Sequence, residues 1–203
     1  DSANAALLCS VPTGIHQTNI SQWGLDPGNY QFYVDAIGLP CIRDHLSTPA
    51  TQLPSPWLNQ DIGNVGVGGS ATYTNGTFTV SGSGADIWGS SDSFQFVYQP
   101  WNGDGQIVVR VLSISNTASV AKAGLMFRET LDSGSAQGDL FVSPTDGVSM
   151  QNRTVANGST SNVRTLNGIS APCWLSLIRL GNYLYSYESA DDVNWTPVGP
   201  NIC

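Results

Sequence analysis

The chain has 203 residues, a length that suits one β-sandwich, alone or with an extension. Seven basic against fifteen acidic side chains give a net charge of −8, which argues against nucleic acid and anionic lipid as partners. No apolar run approaches the roughly 18–20 residues that a membrane-spanning helix needs, so membrane insertion is not expected.

Two short apolar runs within residues 1–41 are predicted to be strands that complete a sandwich. The first is Ala5-Ala-Leu-Leu-Cys-Ser-Val11, and the second is Phe32-Tyr-Val-Asp-Ala-Ile-Gly-Leu39. The polar stretch between them, residues 13–29, is expected to form turns. The side chains expected to make the strand contacts are Leu7, Leu8, Val11, Phe32, Val34 and Ile37.

The following segment differs in composition from both runs. Residues 42–57 carry Pro49, Pro54 and Pro56 among serines and threonines, which is typical of an extended linker. The remaining residues, 58–203, carry the strand signals of one β-rich module.

The clearest of these signals is Asn75-Gly76, the strongest short hairpin signal in any sequence. A two-residue turn at this point pairs Tyr73 with Phe78 and Ala71 with Val80. These four side chains then share one face, while threonines occupy the other, so we expect one buried face and one solvated face.

Further strand patterns follow about every 8–15 residues, with turn signals between them and no convincing helix. They lie at residues 94–98, 107–111, 123–130, 140–143, 148–153, 162–166, 174–180, 183–188 and 195–198. The expected fold is all-β, with two packed antiparallel sheets forming a β-sandwich or jelly roll.

Three tyrosines share one face of a predicted strand, at Tyr183, Tyr185 and Tyr187. We expect Trp174, Ile178 and Leu180 to line up opposite them across the hairpin that Gly181-Asn182 closes. Aromatic rings in a row can stack on sugar rings, but the aliphatic neighbours favour a core face here.

The four cysteines are Cys9, Cys41, Cys173 and Cys203. None belongs to a Cys-x-x-Cys pair and only two histidines are present, so a zinc site is not expected. Two disulfides fit better, in any of three pairings, and Cys203 leaves an intermolecular bond open. Disulfides predict an oxidising location, either extracellular or at the cell surface.

No set of residues predicts catalysis, so we do not expect an enzyme. A glycosidase needs paired carboxylates, whereas Glu129 and Glu188 are isolated. Arg128 and Glu129 are neighbours on a predicted strand and should point to opposite faces. A serine nucleophile needs a histidine base, and neither His16 nor His45 lies near a Gly-x-Ser-x-Gly turn.

Two kinds of binding residue remain, both beside turns. Asp86, Asp92 and Asp104 are candidates for calcium binding, with an ordinary turn role as the alternative. No other cofactor is expected. The candidates for stacking on carbohydrate are Trp88, Trp101 and Trp195, and the alternative is that each ring covers one end of the core.

Six strings occur in one order: Asp61-Ile-Gly63, Gly82-Ser-Gly-Ala-Asp-Ile-Trp-Gly89, Phe96-Val-Tyr-Gln-Pro100, Gly103-Asp-Gly-Gln-Ile-Val108, Lys122-Ala-Gly-Leu-Met-Phe-Arg-Glu-Thr130 and Tyr187-Glu-Ser-Ala-Asp-Asp-Val-Asn-Trp195. In this order they resemble a bacterial module of the concanavalin A-like lectin/glucanase superfamily, the regulation-of-enolase-type domain. The resemblance covers residues 58–200 and implies a jelly roll of secreted enzymes or surface proteins, with no settled activity. Family modules often carry an aromatic residue where this chain has Val120, so a ligand contact there is not expected.

The strand order departs from the family pattern. Family modules continue past the hairpin at Asn194-Trp195-Thr196 with a small aliphatic strand and then a closing strand. The runs at residues 5–11 and 32–39 have that character, so the last two strands look moved to the N-terminus. They would complete the chain's own sheets, the sheets of the next copy, or those of a neighbouring tandem domain.

We therefore predict a non-catalytic extracellular structural protein. It would assemble head to tail into a filament by donor-strand complementation, with copies of itself as partners. The alternative is a carbohydrate-binding module of a secreted protein, with polysaccharide as the partner.

Overall fold

The structure is a computed structural model that describes residues 3–10, 16–25 and 53–202, the first two ranges through their backbone pairing. The described residues form sixteen strands and no helix, in two antiparallel sheets packed face to face. The predicted all-β sandwich is thereby confirmed. Accordingly, no helix among these residues is long and apolar enough to cross a membrane.

The first sheet has seven strands. In spatial order they are β13 (Ser161–Leu166), β12 (Gly147–Arg153), β11 (Gln137–Ser143), β10 (Lys122–Arg128), β1 (Ala3–Ser10), β8 (Phe94–Trp101) and β3 (Leu58–Ile62).

The second sheet also has seven strands. In spatial order they are β16 (Thr196–Pro197), β15 (Tyr183–Ser189), β14 (Cys173–Leu180), β9 (Gly105–Ile114), β2 (His16–Leu25), β5 (Thr77–Gly82) and β4 (Ser70–Thr74). A separate hairpin consists of β6 (Ile87–Trp88) and β7 (Ser91–Asp92).

The core lies between the two sheets. A side chain at Gly138 of β11 would meet Leu184 and Ile202, on the side of the second sheet, so Gly138 marks the inner face of the first sheet. Leu140 shares that face and is fully buried. Val109 and Leu175 are fully buried on the inner face of the second sheet. Burial of each such side chain stabilises the fold by about 1.5–3 kcal/mol.

The hairpin at Asn75-Gly76 forms as predicted. Tyr73 pairs with Phe78 and Ala71 with Val80. Asn75 and Gly76 have φ values of 50° and 80°, the left-handed backbone that a type I′ turn requires at both positions. Phe78 and Val80 are buried, and the Trp57 ring packs edge-on against Phe78 with centroids 5.3 Å apart.

The prediction that residues 13–29 form only turns is wrong, because His16–Leu25 is a strand. This polar strand lies between β5 and β9 and pairs with both. Its place in the sheet, rather than the β propensity of its residues, accounts for its extended conformation. The second predicted N-terminal strand, with Phe32, Val34 and Ile37, lies outside the described residues, as does Val11.

The expectation that the three tyrosines form a core face is also wrong. Leu175 and Leu177 of β14 are fully buried, while Tyr183 on the opposite face of the hairpin is 51% exposed. Tyr185 and Tyr187 are half-buried on that same outward face. Both faces of β14 are apolar, so alternation alone did not identify the inner one.

Candidate functional site

Strand β1 is an interior strand of the first sheet, the fifth of seven. Its residues pair antiparallel with β10 on one side and with β8 on the other, over seven positions each. Leu7, for example, lies between Leu125 of β10 and Val97 of β8. Among the described residues, β8 and β10 are joined to each other only through β1.

Strand β2 has the same role in the second sheet. It pairs with β5 at six positions and with β9 at six, with irregular register on the β9 side. Ile20 lies between Phe78 of β5 and Val111 of β9. Because β5 and β9 do not pair directly, the N-terminal strand pair (β1 and β2) joins the two halves of both sheets.

A buried ionic cluster lies on the outer face of the first sheet. We call it the Asp92 cluster, and it consists of Asp92, Arg128 and Arg153, whose side chains have no exposed surface. Arg153 donates two hydrogen bonds to the Asp92 carboxylate, one of them 2.9 Å long, and Arg128 donates a third of 3.2 Å. Burial lowers the pKa of Arg128, and the Asp92 carboxylate opposes that shift.

The cluster fastens the β6–β7 hairpin over the outer face of the sheet. Arg153 also donates to the carbonyl oxygens of Gly89 and Ser135 and to the hydroxyl of Thr160. Beside it, Lys122 donates to Asp86 at 2.6 Å and to the carbonyl of Ile87 at 2.8 Å. The hairpin is therefore held by charge-assisted bonds at both of its ends.

Asp139 of β11 lies on the same outer face and has no hydrogen bond to either carboxylate oxygen. It is fully buried, and both amide atoms of nearby Gln137 also lack partners. Burial raises the pKa of Asp139 to about 7, although Lys122 opposes the shift. Asp139 is therefore a buried carboxyl group that titrates near neutral pH.

The predicted calcium ligands already have protein partners. Asp92 binds two arginines and Asp86 binds Lys122. Asp104 accepts a hydrogen bond of 2.6 Å from the backbone amide of Gly181. The described residues contain no group of three or more His, Cys, Asp or Glu side chains placed to hold a metal ion.

The three tryptophans lie in different surroundings. Trp88 is 44% exposed at the tip of the β6–β7 hairpin, with the Lys122 ammonium 5.8 Å from its ring centre. Trp101 is only 7% exposed and packs edge-on against Phe127, so its ring has no free face for a sugar. Trp195 is half-buried.

Cys173 differs from the expected disulfide partner. Its thiol is free and buried at the start of β14. Burial raises its pKa to about 12, so it carries little reactive thiolate at neutral pH. The side chains of Cys9, Cys41 and Cys203 lie outside the described residues.

Sequence reasoning missed the Asp92 cluster. Asp92 was considered only as a calcium ligand or a turn residue, and Arg128 only as the neighbour of Glu129. Those two side chains do point apart, since Arg128 is buried and Glu129 is exposed. The one local hint was Arg128, which ends a largely apolar strand in a chain with only seven basic residues, whereas Arg153 ends a mostly polar one.

Comparisons of this chain with protein-family models, with curated proteins and with solved structures gave no match.

The first prediction concerns the Asp92 cluster. Asp92→Asn leaves two buried guanidinium groups without a counter-charge, so we expect the free energy of unfolding to fall by about 3–5 kcal/mol. Urea denaturation measures the change. Asp146→Asn, at an exposed turn, is the matched control and should shift the value by no more than about 0.5 kcal/mol. Equal effects of the two substitutions would show that the cluster adds nothing to stability.

The second prediction concerns the pH dependence of stability. The pKa of Asp139 is about 7 when folded and 3.8 in the unfolded reference, so the folded state binds the extra proton between these values. Its contribution to stability is complete below pH 3.8 and is lost as the pH rises to about 7, on the order of 4 kcal/mol in all. Asp139→Asn should remove this slope. A difference in unfolding free energy between wild type and variant that stays constant from pH 4 to 8 would contradict the prediction.

Proposed function

We propose that this protein is a non-catalytic extracellular structural subunit that assembles head to tail, each copy donating its N-terminal strand pair to the sandwich of the next. The observation that carries the proposal is the position of β1 and β2, each in the interior of one sheet with strands on both sides. A donated strand at a sheet edge would add to a finished fold, whereas these two strands make each sheet continuous.

The energetics require that some chain fill both positions. Without β1, the facing edges of β8 and β10 lose all the backbone partners that they have on that side. Buried peptide groups without partners are costly, and open strand edges attract other chains. Residues 53–202 are therefore an acceptor that needs residues 3–25, from the same chain or from another.

The length of the connection supports donation to another chain. Residues 26–52 place 27 residues between the end of β2 and the described start of the module. Connections within compact domains have a median of roughly 4–6 residues. Extended, such a segment reaches at most roughly 90 Å, well beyond the ~33 Å length of a ten-residue strand. A donor module can thus lie beside or beyond its acceptor.

The cysteines support an extracellular location within this proposal. A disulfide within the chain, or bonds between copies through Cys203, would need an oxidising compartment. Cys173 is free and buried, so Cys9, Cys41 and Cys203 are the residues through which such bonds would form.

The third prediction tests donation directly. Cys9 lies opposite Ala123 in the β1–β10 register, so Ala123→Cys places two cysteines across the strand pair. With Cys41 and Cys203 replaced by serine, oxidation of the assembled protein should give a ladder at multiples of 21.5 kDa on a non-reducing gel. The ladder arises because each cross-link joins the β1 strand of one copy to the β10 strand of the next.

This prediction has a matched control and one outcome that would contradict it. Ala123→Ser in the same background has the same serine replacements and no second thiol, so it should give no ladder. A cross-linked species that runs only as a monomer, from material whose light-scattering mass is also that of a monomer, would mean that each chain completes itself. Head-to-tail assembly would then be overturned.

Carbohydrate binding is a second candidate, supported by the aromatic side chains on the outer face of the second sheet. Tyr183, Tyr185 and Tyr187 lie on alternate positions of β15, so they form a row on that face. Trp88 offers a second exposed ring on the far side of the molecule. Aromatic rings of this kind stack on the apolar faces of sugars.

The fourth prediction tests this second candidate. In pull-down assays with insoluble neutral polysaccharides, Tyr185→Ala should weaken binding about fivefold, the equivalent of one lost ring contact. Val193→Ala changes an exposed residue away from both aromatic surfaces and should bind like wild type. Absence of wild-type binding across a glycan array and the pull-down would remove carbohydrate binding from consideration.

A further inference from the structure

Both free ends of the N-terminal strand pair lie at one end of the sandwich. Near the start of strand β1, Asn4 lies opposite Arg128, the last residue of β10. Strand β2 ends with Leu25 opposite Ile107, near the start of β9. The start of β9 and the end of β10 are both at the end where the Trp101–Gly105 connection passes between the sheets. We call this the open end.

The direction of the strands has a consequence for any donor. A donated strand pair enters the acceptor sandwich at the open end, runs to the opposite end in the first sheet and returns in the second. The donor's chain therefore leaves the acceptor at the open end as well, at Leu25. Residues 26–52 join the donated strands to the donor's own module, so they raise the local concentration of that module beside this surface.

The open end has a cavity of about 410 Å³ between the two sheets. Phe127 and Gly138 line it from the first sheet, and Arg179 and Leu184 line it from the second. Arg179 donates through its Nε to the carbonyl of Gly181, but its buried Nη1 has no hydrogen-bond partner. A buried guanidinium nitrogen without a partner is costly and favours an acceptor group supplied from outside the module.

Exposed apolar side chains lie at the same end of the sandwich. Leu180 and Tyr183 flank the Gly181-Asn182 turn and are 49% and 51% exposed. Leu58, the first residue of β3, lies at the same end of the first sheet and is 50% exposed. Large apolar side chains exposed at one end of a molecule are typical of a protein–protein contact.

We infer that the open end is the docking surface for the module of the donor copy, so that neighbouring subunits are joined by a surface contact as well as by strand exchange. This inference rests on the proposed head-to-tail assembly. The occupant is a second copy of this chain, because the donated strands bring that copy to this end. The Arg179 guanidinium would bind an oxygen acceptor of the donor, and Leu180 and Tyr183, at the same end on the outer face of the second sheet, would add apolar contacts.

The fifth prediction uses two changes at the open end and one matched control. Leu180→Lys adds a charge among the exposed apolar side chains, and Arg179→Glu reverses the charge in the cavity. Each should raise the concentration needed for half-maximal assembly, measured by sedimentation, by about tenfold or more. Val193→Lys makes the same kind of change at a residue that is 76% exposed in the turn after β15, at the opposite end, and should assemble like wild type.

The outcomes separate this inference from the proposal beneath it. If the wild type assembles, the Ala123→Cys variant gives its cross-linked ladder and both open-end variants assemble like wild type, strand exchange holds and the docking surface is overturned. If the wild type is a monomer, both ideas are overturned. Thermal melting of each isolated variant must match the wild type within a few degrees, and the agreement of two different substitutions guards against an effect of misfolding.

Discussion

The backbone pairing of β1 and β2 is the constraint on which the rest of the structure depends. Each strand lies inside a seven-stranded sheet, with four strands on one side and two on the other, so every strand on one side is joined to every strand on the other through it. The inner faces of both sheets can bury their apolar side chains only when the sheets are continuous. The hydrophobic core of residues 53–202 can thus form only when β1 and β2 are in place. The end of β2 is separated from residue 53 by 27 residues.

The Asp92 cluster stabilises a different part of the fold. Two arginines with no exposed surface would be strongly unfavourable alone, and Asp92 together with several carbonyl oxygens satisfies them. The result is a hairpin fixed over the outer face of the first sheet, where the sheet would otherwise be open to solvent. Since this face is covered, the open end and the tyrosine face of the second sheet are better placed for a partner.

Much of the module could be predicted from sequence because its signals are local. The turn at Asn75-Gly76 fixes both its own geometry and the register of the strands beside it, and Gly181-Asn182 does the same for β14 and β15. The alternation of Leu175 and Leu177 with other residues indicated a strand. Its inner face could not be assigned, because Ile178 and Leu180, which point to the opposite face, are equally apolar. Only the packing of two sheets decides which face is inside.

The features that sequence reasoning missed depend on contacts between distant residues. Strand β2 consists mainly of polar residues, and its extended form follows from the two strands beside it. Asp92 lies 36 residues from Arg128 and 61 from Arg153, so no local pattern marks the cluster. An aliphatic run near the N-terminus, by contrast, was expected to form a strand that completes a sheet, and β1 lies inside the first sheet.

The directions of β1 and β2 bear on the proposed head-to-tail assembly. The start of β1 and the end of β2 lie at the same end of the sandwich, so a donated strand pair would enter and leave its acceptor there. The same arrangement puts the end of β2, the cavity beside Arg179 and the exposed side chains of Leu180 and Tyr183 at one end of the molecule. Surface docking and strand exchange would then favour the same partner, and each would make the other harder to reverse.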